Sequence, residues 1–558
     1  MPLVFGTQSA CGVLPLSPRE ERAGRESERG EIDKKRLLSP ALSSFFEEGE
    51  KTRLPAQSKS SAEHNWRDAC VTLSTALPLF EARQRFSLPV TTSGMTDRRA
   101  FYDGRAALRL RESERFYHQL LKRYYAFLVP PDRRVLEVGC GLGDLLAVAR
   151  PARGLGVDFS PAVVDLARQR HPDLEFQVAD ALEFSAGETF DYILLSDLVN
   201  DLPDVQAVLT RLQEVSCPET RLAVNFYNNL WRPVLALAEM IGAKAPTLPQ
   251  NWLSAGDMRN LLHLAEWEVI KEETRILWPL RTPLLAPLFN RWLAPLLRPF
   301  CLTVFLVARP RPRVPQDKHF RCTVVIPARN EAGNIEAAVQ RTPNMGAGTD
   351  IIFVEGGSQD NTWDEIQRVK AKYPHRNITP LRQQSKGKGG AVREAFAQAA
   401  GDLLFILDAD LTMPPEQLPK FYEVARSGTA DFVNGVRLVY PMEQEAMRFF
   451  NMVANKFFGM AFSWLLGQSI KDTLCGTKVL FRKDYEAIAR NRSSFGDFDP
   501  FGDFDLLFGA AKLNLRIIDL PVRYQARTYG ETNIQRWRHG WLLLRMTVFA
   551  ATRLKFIP

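Results

Sequence analysis

Short apolar runs alternate with segments of helical spacing from about residue 95 to the end of the chain. The runs are four or five residues long, and we predict them as strands: residues 134–137, 154–158, 175–179, 192–195, 323–326, 351–354 and 403–407. Residues 162–170 and 204–213 place apolar side chains on one face of a helix. Because strands that alternate with helices are typical of parallel sheets, the pattern predicts an α/β protein.

Residues 1–94 differ in character from the rest of the chain. Charges of both signs are mixed in residues 19–36, and small polar residues fill residues 57–62. Apolar periodicity does not persist here, so we predict a disordered extension. A helical pattern begins at Met95, and a native start at Met95 is an open alternative. Deletion of residues 1–94 is expected to leave the remainder folded.

A basic, proline-rich segment at residues 309–315 divides the α/β pattern in two. Proline keeps such a segment extended and semi-rigid, as in a linker. The chain has 558 residues, which is too long for one hydrophobic core. We predict one domain at residues 95–309, a linker at residues 310–319 and a second domain at residues 320–558.

Composition narrows the classes of partner. The net charge of +8 favours anionic ligands. Basic residues are not interleaved with an aromatic platform, so nucleic-acid binding is not expected. The seven cysteines are scattered without a C-x-x-C motif, which disfavours a disulfide framework or a zinc site and indicates a reducing compartment.

No segment has the composition of a membrane span or a signal peptide. Residues 276–307 are apolar but contain three arginines and five prolines, and the N-terminal end lacks a basic n-region. We therefore expect a cytoplasmic location, with peripheral contact to the cytoplasmic face of a membrane. The candidates for that contact are residues 447–466 and 541–556, which are apolar with flanking basic residues. Ordinary core helices are an equal alternative for both segments.

A glycine-rich turn follows the first predicted strand. Residues 137–143 read Glu-Val-Gly-Cys-Gly-Leu-Gly, and such glycines let the backbone approach a ligand above the strand end. Asp158 closes the next strand, where an acid suits a ribose diol, and Asp180 follows the third beside an adenine-sized space. The turn by itself is shared with NAD-binding folds.

This series of motifs resembles the class I methyltransferase family over about residues 98–309. The resemblance implies S-adenosylmethionine as cofactor and a seven-stranded, Rossmann-like sheet with residues 301–307 as its closing strand. It also implies that Glu137, Gly139 and Gly141 contact the methionine moiety of the cofactor. Asp158 would contact the ribose, and Asp180 would contact the adenine.

The sequence identifies the catalytic residues of this first domain less clearly than its cofactor residues. Asp197 and Asp201 follow the fourth predicted strand, where a base or a metal ligand for methyl transfer belongs. Helix capping explains both residues about as well. The methyl acceptor stays open, and a non-catalytic module that binds the cofactor and regulates the second domain is the alternative.

The strand at residues 403–407 delivers two carboxylates, Asp408 and Asp410, to one edge of the second sheet. Such a pair suits Mg²⁺ or Mn²⁺, which would bridge to the diphosphate of a nucleotide-sugar. Two solvated acids at the start of a loop are the alternative. Lys388 lies in Lys-Gly-Lys-Gly-Gly (residues 386–390) at a predicted helix start, which favours a diphosphate over a merely solvated basic turn.

With residues 324–331 and 354–362, which end two other strands, these motifs resemble family 2 glycosyltransferases of the Rossmann-like GT-A fold over about residues 320–545. The dolichyl-phosphate and polyprenyl-phosphate sugar synthases are the branch most similar. The resemblance implies a metal on Asp408 and Asp410, and nucleotide-sugar contacts from Pro327, Ala328, Glu331, Glu355 and Asp408, to which we add Lys388. Glu355 and Gly356 stand where relatives often carry consecutive aspartates, so the nucleotide base stays open between uracil and guanine. Thr412 stands where close relatives often carry a Gln near the metal.

The part of the site that would bind the sugar acceptor is also inferred from the resemblance to this glycosyltransferase branch. Residues 472–478 and 501–507 match its motifs, and a basic segment resembles the part that reaches over the donor phosphates: Arg523, Arg527, Tyr529, Gly530 and Glu531. An alcohol acceptor needs a base, whereas a lipid phosphate is already an anion and needs cations. Arg437, Arg448 and Arg527 supply cations.

We therefore predict an inverting, metal-dependent hexosyltransferase that acts on a polyprenyl phosphate or related acceptor, fused to a methyltransferase. A soluble glycan acceptor is the alternative. The candidate catalytic residues are Asp410, Asp472, Asp505 and Arg527, with Asp505 as the base if the acceptor is a hydroxyl.

Overall fold

The computed structural model describes residues 92–312, 318–437, 439, 449–492, 503–527, 529 and 536–557. Residues 1–91 of the predicted extension and residues 313–317 of the predicted linker lie outside the described residues. Residues 92–94, which we assigned to the extension, begin the first helix. By its contacts, Val90–Pro558 is one compact unit.

The first sheet has seven strands, and it confirms each strand predicted before residue 200. The strands are Arg134–Val138 (β1), Arg153–Asp158 (β2), Glu175–Val178 (β3), Phe190–Ser196 (β4), Ser216–Tyr227 (β5), Trp267–Arg275 (β6) and Thr303–Pro310 (β7). Their order is β3-β2-β1-β4-β5-β7-β6, with β7 antiparallel to both neighbours. The predicted closing strand is thus the last in sequence but lies one place inside the sheet edge.

Helices cover both faces of this sheet, as a parallel sheet requires. They are Thr92–Asp103 (α1), Ala106–Ser113 (α2), Phe116–Leu128 (α3), Asp144–Val148 (α4), Pro161–Arg170 (α5), Val205–Arg211 (α6), Arg232–Met240 (α7), Ala255–Leu264 (α8) and Leu285–Pro287 (α9). Shorter helical turns span Leu198–Asn200, Leu212–Val215, Asn229–Trp231, Leu288–Leu293 and Arg298–Phe300. Side chains of Ser160, Asp204 and Ser254 cap α5, α6 and α8 by accepting backbone N–H bonds.

The second sheet also has seven strands. They are Cys322–Ala328 (β8), Thr349–Glu355 (β9), Asn377–Arg382 (β10), Leu403–Ile406 (β11), Phe432–Val436 (β12), Lys478–Phe481 (β13) and Ile517–Pro521 (β14). Their order is β10-β9-β8-β11-β13-β12-β14, and β13 is the antiparallel member. The predicted α/β fold class is confirmed, as is the predicted seven-stranded first sheet. Since β9, β8 and β11 are adjacent and parallel, their C-terminal ends meet at one edge.

Helices also flank the second sheet. They are Ala332–Arg341 (α10), Thr362–Lys372 (α11), Gly387–Gln398 (α12), Leu418–Arg426 (α13), Phe449–Leu466 (α14), Arg482–Arg490 (α15), Asp503–Lys512 (α16) and Arg536–Leu554 (α17), with a helical turn at Pro415–Gln417. The predicted helix after residue 386 is α12.

The two segments considered for membrane contact, α14 and α17, pack against each other. Phe462 and Met546 are buried in one core with Leu404 of β11, so each helix contributes to the core of the second sheet. Each also leaves an apolar residue exposed, such as Met460 and Trp541. Within the described ranges, no helix is long and apolar enough to cross a membrane.

Candidate active sites

The first site begins with the glycine turn between β1 and α4. Gly139, Gly141 and Gly143 have positive φ angles of 69°, 51° and 72°, a region that glycine adopts without steric cost. A Cβ on Gly139 would lie 2.7 Å from a methyl carbon of Leu198, so close packing excludes a side chain there as well. The turn therefore exposes backbone rather than side chains at the end of β1.

Asp158 ties the end of β2 to this turn. Its Oδ2 accepts the backbone N–H of Gly141 at 3.0 Å, and its Oδ1 accepts that of Ser160 at 3.1 Å. Burial raises the pKa of this carboxyl. The predicted ribose ligand thus lies at the mouth of the glycine turn, with both oxygens engaged by backbone.

Glu137 and Asp180 are both placed near this mouth by hydrogen bonds to backbone. The Oε2 of buried Glu137 accepts the N–H of Leu146 in α4 at 3.0 Å, and burial raises the pKa of Glu137 to about 8. Asp180 follows β3, and its Oδ1 accepts the N–H of Leu182 at 2.9 Å. All five predicted cofactor residues therefore belong to the ends of β1, β2 and β3.

Asp197, a candidate from the sequence, lies at the end of β4, and its polar partners Tyr117 and Asn225 were not predicted. Its carboxylate accepts the Tyr117 hydroxyl at 3.0 Å and the Asn225 amide at 2.6 Å. Burial raises the pKa of Asp197 to about 7. Its side chain makes no capping bond to the helical turn at Leu198–Asn200, so the capping explanation is wrong for Asp197. Asp201 accepts the hydroxyl of Tyr102.

The second site lies at the C-terminal edge of β8, β9 and β11. Backbone and side-chain bonds connect the first two strand ends: Gly356 N–H donates to the Ala328 carbonyl at 2.9 Å, and Gln359 N–H donates to Asn330 Oδ1 at 2.8 Å. Pro327 and Ala328 end β8, and Glu355 ends β9 with its carboxylate accepting a backbone N–H from the next loop. These predicted nucleotide residues share one edge.

Arg527 brings two further predicted residues together across the site. Its Nη2 lies 2.7 Å from Asp410 Oδ2, and its Nη1 lies 3.4 Å from Glu331 Oε1. Burial raises the pKa of Glu331, with Arg527 acting against that rise. These three residues are separated by 79 to 196 positions in the sequence, and only the fold makes them neighbours.

The segment that carries Arg527 is held by hydrogen bonds that the sequence motif did not indicate. The Gln417 side chain donates to the Arg523 carbonyl and accepts the Arg523 N–H, both at 3.1 Å. Gln525 N–H donates to the Thr412 carbonyl at 2.8 Å. Tyr529 lies over α10, where a Cβ on Gly333 would be 2.6 Å from its ring. Gly530 and Glu531 lie outside the described residues.

Asp408 pairs with Lys388 from the start of α12. The Nζ of Lys388 lies 2.5 Å from Asp408 Oδ1, and a Cβ on Gly476 would lie 2.1 Å from Asp408 Oδ2. Burial opposes ionisation of Asp408, but the Lys388 ammonium outweighs it and lowers the pKa of this carboxyl. Gly476 therefore lies at the second site, although the motif at residues 472–478 did not predict a role for it.

The Asp408 and Asp410 carboxylates fit a hard divalent cation. Asp408 is paired with Lys388 and Asp410 with Arg527, so a metal ion would share these carboxylates with the two cations or displace them. The structure groups no three His, Cys, Asp or Glu side chains for a metal in its described part. Mg²⁺ is commonly held by one or two carboxylates plus phosphate oxygens and water, which suits this donor set.

Asp472 does not face the cleft. It is fully buried and forms a bidentate pair with Arg437 at 2.8 and 2.9 Å. Burial opposes its ionisation, yet Arg437 lowers the pKa of Asp472 to about 2. A carboxylate with both oxygens bonded to a buried guanidinium is suited to position that guanidinium, and direct catalysis by Asp472 stays a prediction.

Asp505, in α16, is 8% exposed and lies between two arginines. Its Oδ2 is 2.8 Å from Arg492 Nε and 3.9 Å from Arg393 Nη1. The other candidates on the acceptor side, residues 501–502 and Arg448, lie outside the described residues. In its described part, the acceptor side is therefore rich in guanidinium groups.

Two family models match the chain. The Glycosyl transferase family 2 model matches residues 323–489, and the Methyltransferase domain model matches residues 136–222. The chain thus carries a family 2 glycosyltransferase domain and a methyltransferase domain.

Curated relatives match the glycosyltransferase part. A dolichol-phosphate mannosyltransferase of Pyrococcus furiosus is 29% identical over 219 residues, which cover 38% of this chain and 59% of that protein. An undecaprenyl-phosphate 4-deoxy-4-formamido-L-arabinose transferase of Serratia proteamaculans is 31% identical over 181 residues, which cover 31% of this chain and 54% of that protein. The chain spans little more than half the length of these relatives.

Solved structures resemble each part at low identity. An S-adenosylmethionine dependent methyltransferase from Mesorhizobium loti is 16% identical with a TM-score of 0.27, covering 33% of this chain and 95% of the other. A glucosyl-3-phosphoglycerate synthase from Mycobacterium tuberculosis, in complex with Mn²⁺ and UDP, is 18% identical with a TM-score of 0.32, covering 43% of this chain and 81% of the other.

Proposed function

We propose that the second domain transfers a sugar from a nucleoside-diphosphate sugar to a polyprenyl phosphate, and that the first domain is an S-adenosylmethionine-dependent methyltransferase. The domain limits remain those inferred from the sequence, residues 95–309 and 320–558. The observation that carries the glycosyltransferase proposal is the convergence of Arg527 with Asp410 and Glu331 at one sheet edge.

The donor would lie across the ends of β8, β9 and β11. The carboxylate oxygens of Glu331 and Glu355 can accept hydrogen bonds from the nucleobase and the ribose of the donor. The cations Lys388 and Arg527 suit its diphosphate. Lys388 lies in the first turn of α12, so the helix dipole adds to its charge there. Asp408 and Asp410 would hold Mg²⁺ or Mn²⁺, which, when bound, neutralises charge on the diphosphate.

Arg527 has the clearest role among the chain's own residues. In its present position it donates to two carboxylates, and its planar guanidinium can form paired bonds to a phosphate in the same cleft. Gln417 holds the backbone of this segment, so the guanidinium is kept near the place where negative charge develops on the leaving nucleotide.

The chemical class of the sugar acceptor is inferred from the charged side chains near the site, namely whether an acid is free to act as a base. A phosphate monoester carries its own nucleophilic oxygen and needs no base. Asp505, the candidate base, and Asp472, the other candidate acid on the acceptor side, are both paired with arginines. In a single displacement, an acceptor oxygen bonds to the anomeric carbon as the bond to the nucleoside diphosphate breaks, which inverts the configuration. A soluble glycan acceptor would instead require Asp505 to leave Arg492.

The first domain is proposed to bind S-adenosylmethionine over the glycine turn. Asp197 is then the candidate base, because it lies at the end of β4 and has a pKa raised to about 7 by burial. Titration calorimetry with S-adenosylmethionine, followed by labelled-methyl transfer to a cell extract, separates an enzyme from a binding module. Binding without transfer would favour the module.

A donor screen tests the glycosyltransferase proposal. Purified protein is incubated with UDP- or GDP-sugars, Mn²⁺ and a polyprenyl phosphate, and donor hydrolysis and organic-extractable product are followed. Label in the organic phase supports the lipid acceptor. Label that stays on a water-soluble glycan would support the alternative.

A further inference from the structure

A cavity of about 550 Å³ lies between α3, the end of β6 and residues 281–291. Its apolar wall includes the side chains of Phe116, Leu120, Tyr124, Ile276, Phe305 and Ile557. Ile557 follows α17, so the second domain contributes to a cavity built mainly by the first. None of the residues assigned to the two active sites lines it.

Four arginines also line the cavity, and no Asp or Glu is among the residues of its wall. Arg275 is buried and pairs with Glu273 at 2.7 Å. The other three, Arg123, Arg281 and Arg291, form no ion pair with any residue in the described ranges. The cavity therefore holds positive charge that nearby carboxylates do not compensate.

Two of these guanidinium groups keep an unused donor. The Nε atoms of Arg275 and Arg291 are buried and have no hydrogen-bond partner within the described part of the chain. Arg275 is 7% exposed, so water cannot readily serve it. An unpaired buried donor is costly, and Arg291, which lines the cavity, therefore carries a donor that the described protein does not satisfy.

The apolar wall and the arginines call for one amphiphilic ligand. An inorganic anion would leave the aromatic and aliphatic wall unfilled, whereas a neutral hydrocarbon would leave the guanidinium groups unpaired. The rim of the cavity is also apolar and exposed: Leu284 is 86% exposed, and Leu285, Leu288 and Trp292 next to it are exposed as well. Such a rim suits entry of a lipid chain.

We propose that this cavity binds a lipid with a phosphate head group, with the phosphate on Arg281 and Arg291 and the chain against Phe116, Leu120 and Phe305. Phe116 of the cavity directly precedes Tyr117, whose hydroxyl donates to Asp197 of the first candidate site. Lipid binding here does not depend on either activity proposed above. The phosphate lipid is either a polyprenyl phosphate or a diacyl phospholipid, and the experiment separates these sources.

Calorimetry on the full chain with farnesyl phosphate, farnesol and inorganic phosphate tests the proposal. The double variant Arg281→Gln/Arg291→Gln should remove one farnesyl phosphate site, or weaken it at least about tenfold, since two charge-assisted bonds are lost. Arg111→Gln, an exposed arginine of α2 outside the cavity, is the matched control and should bind as the parent does. Ala286→Phe fills the cavity and should act like the double variant, with a thermal melt to check folding.

Vesicles of phosphatidylcholine, with and without phosphatidic acid, form the second arm. Loss of farnesyl phosphate binding in the double variant identifies the polyprenyl source, and loss of phosphatidic-acid-dependent vesicle binding identifies the diacyl source. Unchanged stoichiometry and affinity for both probes in folded double variant would overturn the proposal. Glycosyl transfer by the double variant should equal that of the parent, so failure of the glycosyltransferase proposal is read separately from failure of this one.

Discussion

Lys555 places its Nζ 2.8 Å from Glu273 Oε1, and both side chains are buried where the two sheets of the chain meet. Glu273 belongs to β6 of the first sheet, whereas Lys555 follows α17 of the second. Burial opposes ionisation of Glu273, but Lys555 and Arg275 lower its pKa well below the usual range. A second junction joins Arg309 and Arg221 to Asp431 at 3.0 and 2.7 Å. Buried charges that are paired across the boundary between the two sheets hold them together as one body.

Lys555→Ala should destabilise the whole described unit by about 3–5 kcal/mol, because it leaves part of a buried charge network unpaired. Thermal and urea unfolding should still show one transition for both parts. Lys483→Ala is the matched control: its pair with Glu219 also joins the two parts, but both side chains are more than half exposed. That variant should change stability by about 0–1 kcal/mol. Separate melting of the two parts in the parent would contradict the single-body interpretation.

Stability should rise with pH above neutrality because of Lys512. Burial lowers the pKa of this ammonium to about 7, and it lies 3.6 Å from the centre of the Phe127 ring. The unfolded chain, with a pKa near 10.5, binds more protons than the folded chain between about pH 7 and 10.5, so the free energy of unfolding increases over that window. Lys512→Met should flatten this rise, measured as urea midpoints at pH 7 and pH 9. An equal slope in parent and variant would show that other groups cause it.

Asp410→Ala should reduce glycosyl transfer by roughly 10²–10³, the loss expected for one preorganised stabilising group. The variant loses a carboxylate of the candidate metal pair and the partner of Arg527. Initial rates are measured against Mn²⁺ concentration with a nucleotide-sugar donor. Asp364→Ala, an exposed acid at the start of α11, is the control and should retain the parent rate. Near-parent turnover by Asp410→Ala would count against the metal assignment.

Asp472→Asn should fail mainly in folding rather than in chemistry. Removing this carboxylate leaves the buried Arg437 guanidinium unpaired, which costs about 3–5 kcal/mol. The double variant Asp472→Asn/Arg437→Met should recover much of that stability, because charge and partner are removed together. Urea unfolding of the two single variants and the double variant completes the cycle. A stable Asp472→Asn protein without activity would restore Asp472 as a catalytic candidate.

Asp197→Asn should abolish methyl transfer while leaving S-adenosylmethionine binding within about threefold of the parent, since its carboxylate contacts Tyr117 and Asn225 rather than the glycine turn. In the parent, transfer should increase as pH rises through about 7, because burial raises the Asp197 pKa to that value and the base must be deprotonated. Calorimetry and labelled-methyl counting at several pH values measure both effects. A flat pH profile would argue against Asp197 as the base.

Strand positions and the motifs at their ends were readable from the sequence. Alternation of apolar runs with helical spacing located β1 and β11. The motifs that directly follow these strands, the turn at Gly139 and the pair Asp408 and Asp410, were located with them. These features depend on neighbours a few positions away, so local pattern is sufficient. The fold class and the two domain types are confirmed for this reason.

Only the tertiary structure decided which of these residues meet. The pairing of Arg527 with Glu331, of Tyr117 with Asp197 and of Lys555 with Glu273 joins positions 80 to 282 residues apart. It also paired the buried Asp472 with Arg437. A carboxylate has the same letter in the sequence whether it faces a cleft or a buried guanidinium, because burial and partner are set by packing between distant elements and not by local spacing.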